Sequence, residues 1–175
     1  MCQACRGEVW LGEETDLTRR AAMLDEGLEI LAGLWSGEPF SFSGEHYQVR
    51  DQRFTPTPMQ RPRPPVWVAG TWPRRRPLRR AARWDGYLPI KPEGDKTPWT
   101  PDEVGRMVAA LREAGVAEGF AVALGGYDAE DDRVGHVAAI AALAEAGATW
   151  WVESPLPWET TLAAVRARLR SGPPR

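Results

Sequence analysis

The segment from Pro64 to Ile90 constrains the fold of this chain more than any other. Val66 to Ala69 is an apolar, β-branched run bounded by proline and glycine, which predicts a fully buried strand. Helical character follows over about residues 77–84, and Tyr87 to Ile90 predicts a second short buried strand. Two buried strands joined by a helix form a βαβ unit, whose strands must run parallel. The segment therefore predicts an α/β fold built on a parallel sheet.

The same alternation of strand and helix continues to residue 170. A capping box, Thr100-Pro101-Asp102-Glu103, opens a helix that Gly115 ends. The other predicted elements are a strand over 120–124, a helix from Asp131 or Asp132 to Gly147, a strand over 149–152 and a helix over 158–169. Residues 66–170 therefore hold about four βα units. A closed (β/α)8 barrel needs eight units and ~250 residues, so this stretch is too short to close one.

The region before residue 66 has a different character. Residues 1–14 show no clear period, and Asp16 is a good N-cap for a helix assigned to residues 15–37. Residues 38–65 combine an alternating hairpin pattern around Ser43-Gly44 with a proline-rich connector. We treat the whole chain, 1–175, as one domain that carries an N-terminal helix and hairpin.

Ligands of parallel sheets gather at the carboxyl ends of the strands, which places a predicted binding loop at residues 69–72. A glycine there lets a ligand approach the backbone, so Gly70→Val is expected to abolish anion binding with a smaller effect on folding. Six arginines follow within ten residues, from Arg74 to Arg83. Either a bound phosphate or a solvated basic face explains that cluster.

Several motifs together resemble the bacterial luciferase-like monooxygenase family. They are Leu24 to Pro39, Gly44-Glu45-His46-Tyr47, the proline-rich lead into Val66-Trp67-Val68-Ala69-Gly70, and Arg79 to Arg83 before Asp85-Gly86. They occur in the family's order over roughly residues 12–155. The resemblance implies a (β/α)8 TIM barrel of which only the C-terminal part is present.

The resemblance also implies a cofactor, either FMN or a deazaflavin coenzyme of the F-420 type. The family binds the cofactor's phosphate tail around this strand end, which implies Ala69, Gly70 and Thr71 as cofactor-binding residues. Pro89 and Ile90, at the next strand end, would lie beside them. The family's first four strands carry most of its catalytic groups, so the catalytic residues of this chain are unknown. Open strand edges at Val66 and Thr149 predict a homo-oligomer.

Composition narrows the partners to small molecules. A net charge of −2 over 175 residues gives no basic field for nucleic acid or a membrane surface. No apolar run approaches the ~20 residues of a membrane span, and the N-terminus lacks a secretory apolar core, so the expected location is the cytoplasm. Cys2 and Cys5 could form a redox pair or half a zinc site; without further nearby ligands we interpret them as incidental, and no metal site is predicted.

Other candidate positions have competing interpretations. Gly125-Gly126 could hold phosphate but is favoured as a tight turn before a helix. Lys91 could reach an acidic substrate but is favoured as a surface lysine. Glu153 ends a strand where a carboxylate could act as acid or base.

Three hypotheses follow for function. The chain is a flavin- or deazaflavin-dependent oxidoreductase acting on a small organic substrate, a catalytically silent flavin- or anion-binding relative, or a fragment of a full-length enzyme from a mis-started gene.

Overall fold

A computed structural model describes residues 12–126, 133–153 and 160–172, with only the backbone described at 133, 134 and 171. Cys2 and Cys5 lie outside these ranges. The chain divides into two compact units, Met1–Pro65 and Val66–Arg175. Each unit is described on its own below.

The first unit consists of a long helix and a hairpin. Helix α1 spans Leu17–Leu34, and strands β1 (Phe40–Ser43) and β2 (Gln48–Gln52) pair antiparallel, as the sequence pattern predicted. Asp16 caps α1, since its side chain accepts a hydrogen bond from the Arg19 N–H at 2.8 Å. The carboxylate of Glu26 accepts the backbone N–H groups of the hairpin turn, residues 45–47, at 2.8–3.2 Å. This side chain therefore ties the hairpin to the helix.

The second unit holds a four-stranded parallel sheet in the order β3-β4-β5-β6. Its elements are β3 (Trp67–Thr71), α2 (Arg75–Ala81), β4 (Gly86–Ile90), α3 (Pro101–Glu113), β5 (Ala121–Gly126), α4 (Arg133–Glu145), β6 (Trp150–Glu153) and α5 (Leu162–Ser171). The predicted α/β fold class, with about four parallel βα units, is confirmed. No helix in the described part of the chain is both long and apolar enough to span a membrane.

Local chemistry fixes the starts of these elements. The Thr100 hydroxyl accepts the Glu103 N–H at 3.2 Å while the Glu103 carboxylate accepts the Thr100 N–H at 3.0 Å, so the predicted capping box is formed. Asp85 joins the first two strands, because its carboxylate accepts the Val66 N–H at 2.7 Å. Thr161 caps α5, which makes that helix begin at Leu162 rather than at the predicted residue 158.

Several boundaries differ from those the sequence predicted. The predicted 15–37 helix is shorter, Leu17–Leu34, and α2 ends at Ala81 rather than near residue 84. Strands β3 and β5 run further than predicted, to Thr71 and Gly126. Each extension contains a glycine against which the ring of another residue packs. Because the glycine has no side chain, the ring fits there, and the glycine lies within the strand instead of ending it.

Alternation along the strands divides the sheet into two faces. The helix-covered face carries Val68 and Tyr87, whose side chains are 4% and 0% exposed. Gly70 and Pro89, which are in register with each other, lie on the same face. The opposite face, here called the open face, carries Trp67, Ala69, Thr71, Gly86, Leu88, Ile90, Ala121, Ala123, Gly125, Trp150 and Val152. Four residues of the open face have large side chains that are substantially exposed: Trp67 (36%), Ile90 (50%), Trp150 (56%) and Val152 (38%). Trp67 and Trp150 are therefore partly open to solvent, although apolar strand residues of this kind usually pack in the core.

Candidate functional site

The five residues predicted to bind a cofactor lie together at the carboxyl ends of β3 and β4. Gly70 is in register with Pro89 and Thr71 with Ile90. The Trp72 N–H continues this pairing by donating to the Ile90 carbonyl oxygen at 3.0 Å. The two strand ends therefore form one continuous edge, as a βαβ unit requires.

The same five residues divide between the two faces of the sheet. Ala69, Thr71 and Ile90 lie on the open face, whereas Gly70 and Pro89 lie on the helix-covered face and are buried. A ligand on the open face would meet side chains of the first three residues. Gly70 and Pro89 lie on the other face and would affect such a ligand only through the shape of the backbone.

Gly70 has a packing role in the structure. The sequence had instead indicated that the space of its missing side chain serves the approach of a ligand. A Cβ atom added at Gly70 would lie 2.2 Å from Cβ of Pro77 and 3.3 Å from Cε2 of Tyr87. The Gly70 carbonyl oxygen accepts a hydrogen bond from the Tyr87 hydroxyl at 2.8 Å, and burial raises the pKa of that hydroxyl to about 12. Gly70 is not among the glycines with positive φ. The space of its missing side chain is therefore filled by helix α2.

The open face carries no charged or titratable side chain in the described strands. Its residues are apolar apart from the Thr71 hydroxyl. Trp67 and Trp150 meet across the two central strands with ring centroids 5.2 Å apart. Such a surface can bury a flat apolar ring system, but it offers no acid or base from within the sheet.

The basic cluster borders the same edge. Arg74 precedes α2 as its N-cap residue without a side-chain capping bond, and Arg74, Arg75 and Arg76 are exposed. Helix α2 has only seven residues, so its dipole adds little to anion binding. The guanidinium groups are the stronger attraction for an anion here.

Lys91 is a half-buried connector and not the surface lysine that the sequence favoured. Its side chain is 13% exposed; Nζ lies 2.6 Å from Oε1 of Glu103 and 4.5 Å from the centre of the Trp99 ring. The hydrogen bond from Lys91, with those from Thr100, holds the pKa of Glu103 below its usual range even though burial opposes the charge. The ammonium group therefore fixes the loop between β4 and α3 to helix α3.

Glu153, which ends β6, gathers three donors on one oxygen. Oε1 lies 2.6 Å from an Arg168 guanidinium nitrogen, 3.2 Å from Nε1 of Trp151 and 3.3 Å from Nε2 of His136. Burial raises the pKa of this carboxyl, but the bonds from Arg168, His136 and Trp151 outweigh it and lower the pKa overall. His136 comes from α4 and Arg168 from α5, so the cluster fastens two helices to the end of β6.

A cleft of about 530 Å³ lies on the helix-covered side, near these last two clusters. Its residues are Lys91, Asp95, Lys96, Thr97, Pro98, Trp99, Gly125, Gly126, Gly135, His136, Ala139, Ile140, Leu143 and Trp151. None of the five predicted cofactor-binding residues lines it. The Trp151 ring lies over Gly126, where an added Cβ would be 2.5 Å from Cη2. Gly125-Gly126 is therefore the end of a strand beneath an indole ring and not the tight turn that the sequence favoured.

Sequence reasoning could not bring together Glu153, His136 and Arg168, because His136 lies 17 residues before Glu153 and Arg168 lies 15 residues after it. A carboxylate at a strand end was the only signal, and it does not specify partners on later helices. Among the described residues, no group of His, Cys, Asp and Glu has the geometry to hold a metal ion.

Comparisons with known proteins agree with this arrangement. An uncharacterized protein of Mycobacterium tuberculosis is 36% identical over 108 residues, covering 59% of this chain and 34% of that protein. The FMNH2-dependent dimethylsulfone monooxygenase of Pseudomonas putida is 37% identical over 65 residues, covering 37% of this chain and 17% of that protein. The chain therefore spans about a third or less of these curated relatives.

Solved structures share the fold at lower identity. An F420-dependent secondary alcohol dehydrogenase, in complex with an F420-acetone adduct, superposes with a TM-score of 0.59 and 14% identity, covering 81% of this chain and 58% of that chain. Monooxygenase RslO1 from Streptomyces bottropensis superposes with a TM-score of 0.52 and 24% identity, covering 79% and 45%. These likenesses support the fold of a partial (β/α)8 barrel.

The family model of the luciferase-like monooxygenases matches residues 6–132, which include the hairpin, the Asp85-Gly86 motif and strands β3 to β5. The match covers well over half of the chain and agrees with both the parallel sheet and the relatives. This chain belongs to the luciferase-like monooxygenase family.

Proposed function

We propose that this chain is the cofactor-binding part of a flavin- or deazaflavin-dependent oxidoreductase acting on a small organic substrate. The main observation in support of this proposal is that Thr71 and Ile90 are in register and form one sheet edge beside an uncharged face. An FMN-dependent monooxygenase and an F420-dependent dehydrogenase among the similar proteins support either FMN or a deazaflavin as the cofactor. The cofactor, when bound, supplies the redox chemistry.

The residues present fit such a group in two respects. Ala69, Thr71 and Ile90 offer a mostly apolar strand edge against which a fused ring system can lie. The exposed Arg74 and Arg75, directly after that edge, offer guanidinium groups for the phosphate that both cofactors carry. The chain's own contribution is thus to bind and orient the cofactor and to keep water from one side of it.

Acid–base groups come from outside this face. The charged clusters described around Glu153 and Glu103 are committed to holding helices. A second candidate function, a flavin- or anion-binding relative without catalysis of its own, is favoured by this separation. Which applies depends on whether another stretch of polypeptide adds titratable groups opposite the open face.

Fluorescence titration of FMN with the purified chain tests the binding proposal. The described strands form only one wall of the site, so we expect a dissociation constant of about 100 μM or weaker, equivalent to roughly −5.5 kcal/mol. Riboflavin, which lacks the phosphate, should bind more weakly. The F420-type deazaflavin is titrated in parallel to separate the two cofactor classes.

A matched pair of variants locates the site. Thr71→Glu places a negative charge at the strand edge and should weaken FMN binding at least several-fold. Thr18→Glu makes the same change on an exposed position of α1 and should leave binding unchanged. Equal affinity of all three proteins for FMN would place the site elsewhere. No detectable binding of FMN or the deazaflavin at millimolar cofactor would contradict the proposed function.

A further inference from the structure

The cleft on the helix-covered side is large enough for a small molecule and is separate from the proposed cofactor edge. It lies between the loop that follows β4, the end of β5 and helix α4, and its volume is about 530 Å³. Sites for small molecules usually measure ~300–1,000 Å³. The residues proposed to lie against a flavin ring, Ala69, Thr71 and Ile90, do not line it. The cleft therefore offers a second place for a ligand.

Two indole rings and one side of helix α4 form the walls of this cleft. The ring of Trp151 lies over Gly126, where an added Cβ would be 2.5 Å from Cη2, and the imidazole ring of His136 meets it edge-on with ring centroids 5.6 Å apart. The ring of Trp99 has the ammonium group of Lys91 4.5 Å from its centre. Helix α4 contributes three apolar side chains, those of Ala139, Ile140 and Leu143. Because neighbouring residues already hold both indole rings, a flat ring can bind against them at a small cost in ordering.

The charged and hydroxyl side chains at the rim of the cleft add little attraction for a charged ligand. Nζ of Lys91 bonds Oε1 of Glu103 at 2.6 Å, and the Thr97 hydroxyl donates to the Asp95 carboxylate at 2.6 Å. Lys96 and Asp95 are both exposed and carry opposite charges, so the rim has no excess of either sign. A charged ligand group would lose water here without gaining a partner, which is costly, whereas an uncharged ring buries apolar surface.

We propose that this cleft is a second ligand site, for an uncharged, flat aromatic molecule of about two fused rings. The two indole rings and the aliphatic side chains of α4 supply the contacts, and the paired rim disfavours a charged group. The loop that walls the cleft begins at Lys91, directly after the strand that ends in Ile90. A ligand in the cleft is therefore held by the helix-covered side of the sheet and needs nothing from the open face.

Three probes that share a naphthalene ring test the predicted charge: naphthylmethanol, naphthoate and naphthylmethylammonium. Saturation-transfer NMR with the purified chain detects binding, and isothermal titration calorimetry measures affinity. We expect naphthylmethanol to bind with a dissociation constant on the order of 1 mM or tighter, and each charged probe to bind at least about threefold more weakly. The absence of saturation transfer to naphthylmethanol at about 2 mM would overturn the proposal. Equal or tighter binding of a charged probe would overturn it too.

Variants locate the bound probe. Ala139 lines the cleft and is exposed, so Ala139→Phe fills the site and should weaken naphthylmethanol binding at least about fivefold. Ala141→Phe makes the same change at an exposed position of α4 outside the lining and should leave the affinity unchanged. Trp99→Leu removes one flat wall and should also weaken binding, whereas Trp99→Phe should retain most of it. Equal effects of the two alanine variants would contradict this placement. Circular dichroism confirms that each variant is folded before its affinity is interpreted.

The open face also carries indole rings, so its contribution is tested separately. Trp150→Lys places a charge on a 56% exposed position of that face and should leave the affinity for naphthylmethanol unchanged. Loss of probe binding in Trp150→Lys, with binding retained in Ala139→Phe, would overturn the proposal by moving the probe to the open face. Ala139→Phe should keep the FMN affinity of the unmodified chain. The probe titrations contain no flavin, so either proposal can fail while the other holds.

Discussion

Gly70→Ala is expected to destabilise the fold before it affects any ligand. The new Cβ would lie 2.2 Å from Cβ of Pro77, whereas carbon atoms in contact normally lie about 3.5–4.0 Å apart. An overlap of roughly 1.5 Å cannot be absorbed by a flexible side chain, because the proline ring is fixed to helix α2. Either α2 moves outward or the β3 backbone shifts, which also disturbs the bond from Tyr87 to the Gly70 carbonyl.

Overpacking of this kind costs about 1–3 kcal/mol. At about 2 kcal/mol, the melting temperature of a chain of this size should fall by roughly 4–8 °C. Urea unfolding followed by circular dichroism measures the free-energy change at constant temperature. Gly105→Ala is the matched control: this helical glycine has no atom within 4 Å of an added Cβ, so alanine should stabilise by roughly 0.5–1 kcal/mol.

A double-mutant cycle tests the cause. Pro77→Gly removes the colliding Cβ atom, so the pair Gly70→Ala with Pro77→Gly should be less destabilised than the sum of the single variants. We expect a favourable coupling of about 1 kcal/mol or more. Additive effects would refute the packing explanation. An unchanged stability with lost FMN affinity in Gly70→Ala would restore the ligand-contact role that the sequence first indicated.

Two further predictions follow from the pKa shifts. Unfolded tyrosine ionises near pH 10 and buried Tyr87 near pH 12, so the wild-type free energy of unfolding should fall as pH rises from 10 to 12, by up to roughly 1.4 kcal/mol per pH unit. Urea unfolding of Tyr87→Phe should show a shallower fall, and equal slopes would contradict the burial. For Glu26, burial opposes ionisation, but the backbone N–H groups of residues 45–47 lower the pKa overall. Hydrogen-exchange protection of those amides should therefore be lost as pH falls through that lowered pKa. At neutral pH, Glu26→Ala should lose more of this protection than Glu26→Gln.

The sequence predicted the parts of the fold that depend on local periodicity. The βαβ segment, the Thr100 capping box and the hairpin each follow from neighbouring residues, and the structure has all three. A strand that ends near Gly70 indicated the binding loop, and the family resemblance implied the five cofactor-binding positions, which lie at one sheet edge in the structure. Their binding role stays a prediction.

The misjudged residues depend on contacts between distant parts of the chain. Gly70 and Gly126 were interpreted as loop or turn glycines, but each lies where a ring from another residue needs the space of a Cβ. Lys91 was favoured as a surface residue because no local pattern marks Glu103 as its partner. Glu153 could not be connected to His136 before the helices that carry its donors were placed.

The second unit separates its charges from its binding surface, and this division assigns different consequences to substitutions on the two faces. The Glu153 and Lys91 clusters lie among the helices, where they fasten α3, α4 and α5 to strand ends. The open face has no charge in its described strands. A charge-removing change such as Arg168→Met should therefore lower stability and leave FMN affinity unchanged, because the Glu153 cluster on the helix-covered face loses a donor. A charge-adding change such as Trp150→Lys on the open face should lower FMN affinity and leave stability nearly unchanged. If both variants lowered both properties together, the two faces would not be independent, and the open face would be part of the folding core instead of a surface kept for a cofactor.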